Sequence, residues 1–294
     1  MKLLISNKSL KFHIFSAGSP ELGMGHLKRS AVLAEYIKTQ NYQVRTSILS
    51  NKSDLHSLQI DASEVSILDL PPKFQKLLQR RLQFHPRVAT LDSRFIKSEI
   101  NISIYPHNLE ISNENFVGYK YAIVADEFFK HSSPLSDNLE KFKSVCICLG
   151  GGDVKNQGPL IGQYLSSLGF DVTLIMGPFA NPRHNNISYR FNVVRNPAKI
   201  WEEFHKADWL VVNGGGTLFE ALSMGKVSYS LPQTTEEKLI ATDLYLSGAL
   251  LGFGLENVAK LSFENAFLVK KNAKSTIDGH GKRRILELLT KRYT

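Results

Sequence analysis

Three consecutive glycines, Gly214, Gly215 and Gly216, separate a short apolar run from an amphipathic one, and this stretch constrains the fold of the whole chain. Trp209–Val212 is apolar and β-branched, the pattern of a buried strand. Thr217, Leu218, Phe219, Glu220, Ala221, Leu222 and Met224 then follow helical spacing, and Gly225 stands where a helix takes its left-handed C-terminal residue. Strand, glycine turn and helix start form one unit of a parallel sheet. They also form an anion site, because glycines let a phosphate approach the backbone and a helix N-terminus offers free N–H groups. Glu220 lies one turn into that helix, within reach of a ribose carried by such a phosphate. An ordinary turn in an α/β domain uses the same residues, so this reading rests on the glycines. The spacing is neither GxGxxG nor GxxxxGK[ST], the fingerprints of dinucleotide and P-loop sites.

The same design recurs along the chain. Phe12–Ala17 reads as a strand, residues 18–25 as a glycine-rich loop, and His26 opens a helix carrying Leu27, Ala31, Leu33, Ala34 and Ile37. Strands are expected at Val44–Leu49, Val65–Leu70, Val88–Leu91, Ile102–Tyr105 and Tyr119–Ala125, with a basic-faced helix at Phe74–Leu82. Asp126–Lys143 is polar and aperiodic, the composition of a connector. Ser144–Leu149 then starts a second series with Gly150, Gly151, Gly152 and Asp153. A helix around Gln157–Leu168, strands at Val172–Met176 and Asn192–Arg195, and a helix with Pro197 at its first position lead to the triple glycine. A strand at Val227–Leu231 and helices at Glu236–Leu246, Phe263–Val269 and Lys282–Tyr293 complete the series. Alternating strands and helices predict an α/β protein of two doubly wound, Rossmann-like domains facing across a cleft. The expected division is residues 1–126, a connector at 127–143, and residues 144–294. Ligands of such sheets bind beyond the carboxyl ends of the strands, where all three glycine loops fall.

Composition narrows the partners. With 36 basic against 27 acidic residues the formal charge is +9, which suits anionic ligands without naming one. The basic residues are scattered without aromatic alternation, so no nucleic-acid partner is expected. Cys146 and Cys148 alternate within one strand and read as two buried thiols, which fits a reducing cytoplasm. The N-terminus lacks the apolar core and cleavage site of a signal peptide, and no apolar run is long enough to span a membrane. The amphipathic stretch Lys73–Phe84 reads as a surface helix over a core, or as a peripheral membrane contact. His85, His107 and His184 have no metal-ligand spacing, and His107, after Tyr105-Pro106, is a candidate to line the cleft.

Three segments in order, GMGHLKRSAVLA, VCICLGGGDVKN and ADWLVVNGGGTLFEAL, resemble the UDP-sugar hydrolases of pseudaminic acid biosynthesis; GYKYAIVADEFF is similar as well. The wider group has the two-domain glycosyltransferase-B fold and includes MurG-like transferases. The resemblance implies His26 as catalytic base. Gly214, Gly215, Gly216 and Thr217 then lie at the diphosphate, Glu220 at the ribose, and the main chain of Val194 and Arg195 at the uracil. It also implies that Gly151 and Asp153 start the C-domain glycine loop, and the candidates for the sugar side of the cleft are Gly25, Gly151, Asp153, Asp92, His107 and Gln233. The sequence also departs from the family. An Arg-x-Asp pattern is replaced by Ser16-Ala17-Gly18, a tyrosine after Asp92 by Arg94, and an Asn-Gln pair by LPQTTEEKLIA, where Gln233 or Glu236 stands in.

Cleaving a nucleotide sugar needs a base for the nucleophile and positive potential for the departing diphosphate. No DxD pair is present, so no metal and no cofactor are expected, and backbone N–H groups at 214–217 take the diphosphate. Three functions fit: a UDP-sugar hydrolase, an inverting glycosyltransferase with a sugar or lipid acceptor, and a non-catalytic nucleotide-sugar binder.

Overall fold

The computed structural model describes residues 10–18, 24–82, 85–105, 114–132, 142–181 and 188–294. The chain forms two compact units, residues 1–123 with 280–294, and residues 124–279.

The first unit runs β1 (Lys11–Ala17), α1 (Gly25–Thr39), β2 (Gln43–Leu49), α2 (Lys52–Ser57), β3 (Val65–Asp69), α3 (Pro72–Leu82), β4 (Val88–Leu91), β5 (Ile100–Ser103) and β6 (Glu114–Val117). Its six strands are all parallel, in the order β2-β1-β3-β4-β5-β6. Every residue of β3 and β4 is buried, as a sheet covered by helices on both faces requires. α3 lays Phe74, Leu78 and Leu82 onto Phe15, Leu68, Leu70 and Ile96.

The second unit runs α4 (Asp126–Lys130), β7 (Ser144–Cys148), α5 (Gln157–Ser167), β8 (Asp171–Met176), β9 (Asn192–Arg195), α6 (Ile200–Lys206), β10 (Trp209–Val212), α7 (Gly216–Ser223), β11 (Val227–Ser230), α8 (Thr235–Leu246), β12 (Gly252–Phe253) and α9 (Ala266–Thr276). These strands are also parallel, in the order β12-β11-β10-β7-β8-β9. Val145, Ile147, Trp209, Val211 and Tyr229 alternate into one core with Ile161 and Leu165 of α5. Cys146 and Cys148 point to the opposite face and are buried thiols in no disulfide; burial pushes the Cys146 thiol up.

The last helix, α10 (Gly281–Tyr293), differs from the expected division. It belongs to the first unit, although the sequence reading placed residues 144–294 together. Arg87 donates to the carbonyl of Tyr293 at 3.0 Å, and Arg284 donates to that of Lys120 at 2.9 Å. Gly281 lies so close to the backbone of Ala122 that a side chain has no room there.

That packing also explains an overturned strand. Tyr119–Ala125 is not a strand: Tyr119–Tyr121 is a single 3-10 turn, and among the described residues the last strand of the first unit is β6. Tyr121 and Ala122 are buried residues outside the sheet, in the segment on which α10 packs. α6 begins at Ile200 rather than at Pro197, and α9 overlaps the helix expected at Phe263–Val269 but starts at Ala266 and runs on to Thr276. Among the described residues no helix is long and apolar enough to cross a membrane.

Candidate active site

The chain leaves β1 and β3, which are neighbours, in opposite directions, through α1 to β2 and through α3 to β4. This reversal is the switch point where a parallel sheet opens a crevice at its carboxyl edge. His26, the second residue of α1, and Asp69, the last of β3, meet there with Nδ1 and Oδ1 2.6 Å apart. The Asp69 side chain is fully buried, while the His26 side chain keeps 23% of its surface exposed.

Arg29, one turn along α1, donates from Nε to Asp69 Oδ2 at 2.8 Å and from Nη2 to Oδ1 at 2.5 Å. Its Nη1 donates to Asp92 Oδ2 at 2.6 Å, and Ser30 Oγ donates to Asp69 Oδ2 at 2.9 Å. Asp92 follows β4 in a left-handed backbone conformation, φ +51°, which Asp tolerates better than most residues. Its Oδ1 accepts from Ser103 Oγ at 3.1 Å and from the Ile104 amide at 2.8 Å. The carboxylate of Asp92 is thus occupied within the unit. Burial pushes the Asp69 carboxyl up, but the charges of Arg29 and then His26 outweigh it and hold Asp69 well below the usual carboxylate range. Gly25, at the start of α1, has open space where a side chain would stand.

In the second unit the reversal falls between β7 and β10. α7 begins at Gly216 with no side-chain cap from Gly215. The three glycines differ in their reasons. A Cβ on Gly214 lies 2.5 Å from the carbonyl oxygen of Glu237, so α8 packs against bare backbone there. A Cβ on Gly216 meets nothing within 4 Å. Thr217 and Glu220 are half-buried, and Glu220, four residues beyond Gly216, shares its helix face.

Glu237 reaches into this loop. Its Oε2 accepts from the Gly214 amide at 3.2 Å and the Gln233 amide at 2.7 Å, and its Oε1 from Asn213 Nδ2 at 2.7 Å. Burial pushes the Glu237 carboxyl up against the pull of those donors.

The remaining residues singled out from sequence fall into two groups. Asp153, at φ +41°, caps α5 by accepting from the amides of Gln157 at 2.9 Å and Gly158 at 2.7 Å. Gln233 ties the loop after β11 to the loop after β7, accepting from the Lys155 amide at 3.0 Å and donating to Gln157 Oε1 at 3.2 Å. Beside it lies a cavity of about 290 Å³ lined by Lys155, Thr234, Lys238, Phe253 and Glu256. Gly151 packs against the ring of Phe179. Val194 and Arg195 end the outermost strand β9, and Arg195 Nη1 lies 3.0 Å from Met176 Sδ. Arg94, in Asp92-Ser93-Arg94, is exposed at the carboxyl edge of the first sheet. His107 and residues 19–23 of the first glycine loop lie outside the described residues. Among the described residues no group of histidine, cysteine and acidic side chains is arranged to hold a metal.

Comparison with solved structures decides the fold. MurG of Acinetobacter baumannii superposes with a TM-score of 0.60 at 12% identity, covering 96% of this chain and 99% of that one. The chain has the glycosyltransferase-B fold. A second structure of this fold, the spinosyn rhamnosyltransferase SpnG with thymidine diphosphate, gives a TM-score of 0.58 at 12% identity over 95% of this chain and all of that one. UDP-GlcNAc 2-epimerase of Neisseria meningitidis, bound to UDP-GlcNAc, gives 0.55 at 12% identity over 96% of this chain and 100% of that one. In sequence the chain resembles UDP-2,4-diacetamido-2,4,6-trideoxy-beta-L-altropyranose hydrolase of Campylobacter jejuni, at 25% identity over 70% of this chain and 86% of that protein. It is 23% identical to an uncharacterized protein of Methanocaldococcus jannaschii over 74% of this chain and 54% of that protein. No family model matches.

Within the glycosyltransferase-B fold, sequence reasoning missed three side chains: Asp69, Arg29 and Glu237. Asp69 ends an apolar run at the carboxyl end of β3, and that position was its one available signal. Arg29 reads on sequence as a residue of a solvated helix face or one that reaches a phosphate, and only the pairing of β1 with β3 places Asp69 beside it. Glu237 sits in an acidic pair on a helix surface pattern, and no local signal links it to Gly214.

Proposed function

We propose that this nucleotide-sugar enzyme is a UDP-sugar hydrolase acting in the cytoplasm, with His26 as general base and water as nucleophile, in the assembly of bacterial surface nonulosonic-acid glycans. The observation that carries this reading is His26 itself. It is a partly exposed imidazole at the switch point of the first unit, in the Gly-x-Gly-His segment of a chain similar to a UDP-sugar hydrolase. The second unit supplies the leaving-group cradle. The amides at Gly215, Gly216 and Thr217, with the positive end of α7, take the diphosphate; Glu220 takes the ribose hydroxyls, and the main chain of Val194 and Arg195 takes the uracil. Two buried thiols without a disulfide fit a reducing compartment.

Water attacks the anomeric carbon, His26 takes its proton, and the carbon–oxygen bond to the diphosphate breaks with its electrons leaving on UDP. The test is a panel of nucleotide sugars incubated in isotopically heavy water. Label in the free sugar supports the reading; label in UDP overturns it. His26→Ala is expected to abolish release while sparing UDP binding. A glycosyltransferase is the second reading, favoured by the uncharged Ser16-Ala17-Gly18 where the hydrolases carry charges. UDP release only on addition of a sugar or lipid acceptor selects it. UDP binding without turnover on any member of the panel selects a binder.

A further inference from the structure

Two hydrogen-bond acceptors do not face each other at 2.6 Å, the distance from His26 Nδ1 to Asp69 Oδ1. Nδ1 therefore carries a hydrogen and donates it to the carboxylate. We infer that Asp69 is a positioning residue that holds His26 as the Nδ1–H tautomer and turns its Nε2 lone pair toward the nucleophile, with Arg29 as the clamp on Asp69.

Arg29 Nη2 also lies 3.3 Å from Nδ1, but a guanidinium only donates and cannot take the imidazole hydrogen. Among the described residues the acceptor at Nδ1 is thus Asp69, whose direction is fixed from behind. Arg29 grips both of its oxygens, and Ser30 adds a third donor. Arg29 is itself held at its far nitrogen by Asp92, which Ser103 and the Ile104 amide keep in place. Two carboxylates against one guanidinium leave a net charge of about −1 in a largely buried cluster. When Nε2 accepts a proton from water, the positive charge gained by the ring has Asp69 as its counterion. Asp69 stays ionised and takes no proton itself, because Arg29 supplies it with charge and with two hydrogen bonds. The arrangement is that of a carboxylate selecting the tautomer of a working histidine.

The kinetic half of this inference rests on the proposed role of His26 as base; the tautomer half does not. The experiment is nitrogen–proton NMR of the full chain with nitrogen-labelled histidine, His26 being assigned by His26→Gln. In the neutral ring, the wild-type spectrum is expected to show the proton on Nδ1, and Asp69→Asn is expected to move it to Nε2. A neutral wild-type ring protonated on Nε2 overturns the inference, and this result does not depend on the folding of Asp69→Asn. On a UDP-sugar that the panel shows to be hydrolysed, Asp69→Asn is expected to lower kcat by about 10³–10⁴-fold with KM little changed. An unchanged kcat overturns the positioning role. If no UDP-sugar is hydrolysed but the tautomer moves as stated, the hydrolase reading fails and the positioning of His26 by Asp69 stands.

Discussion

Glu237 Oε2 accepts the amide hydrogen of Gly214 at 3.2 Å, across 23 residues of chain. A loop read from sequence as an anion cradle thus already gives one of its donors to a carboxylate of the protein. The two roles divide along the three glycines: Gly214 serves the packing of α8, and Gly216 is left open.

Gly214→Ala is expected to destabilise the second unit by about 1–3 kcal/mol, because the added carbon meets backbone that cannot turn away. Gly216→Ala, in open space at the start of α7, is expected to leave stability unchanged or slightly raised while weakening UDP. Urea unfolding and calorimetric UDP titration of both variants check the pair. Equal stability for the two sinks the distinction.

Glu220→Ala is expected to weaken UDP by about 1–3 kcal/mol, the cost of leaving ribose hydroxyls unpaired. Inorganic phosphate, which has no ribose, is expected to bind the variant and the wild type alike. A parallel loss of phosphate affinity assigns Glu220 to the shape of the loop instead.

Asp153→Ala removes the carboxylate that accepts two amides at the start of α5. The expected loss is about 1–2 kcal/mol, as for other caps. Chemical denaturation measures it, and a loss in UDP affinity larger than the loss in stability would show that Asp153 also touches ligand.

His13 links stability to pH. Burial, and then the charge of Arg45, push its imidazole down to about 4, so the folded state prefers the neutral ring. A depressed folded value means that its contribution is fully present above the unfolded value of about 6.5 and is lost as pH falls toward about 4. The wild type is expected to lose stability across that window more steeply than His13→Gln, read from urea midpoints. Parallel profiles remove His13 from the acid response.

Much of the architecture was legible in the chain. Trp209–Val212, the triple glycine and the helix to Gly225 form a strand, a turn and a helix because residues a few positions apart decide each of them. Gly225 takes φ +66° and Gly248 φ +72°, as their places after helical runs require. His26 was marked by its neighbours in sequence. The rest depended on contacts between residues far apart. Asp69 reaches His26 across 43 residues, through the pairing of β3 beside β1, and Glu237 reaches Gly214 through the packing of α8. α10 joins the first unit because Gly281 lets it approach Ala122. Local pattern fixes φ, ψ and the buried face of an element, while strand order and close backbone approach fix which side chains meet. The sequence by itself determined two parallel α/β units with His26 at the start of a helix after a glycine loop; the tertiary structure decided the carboxylate and the guanidinium that stand behind that imidazole.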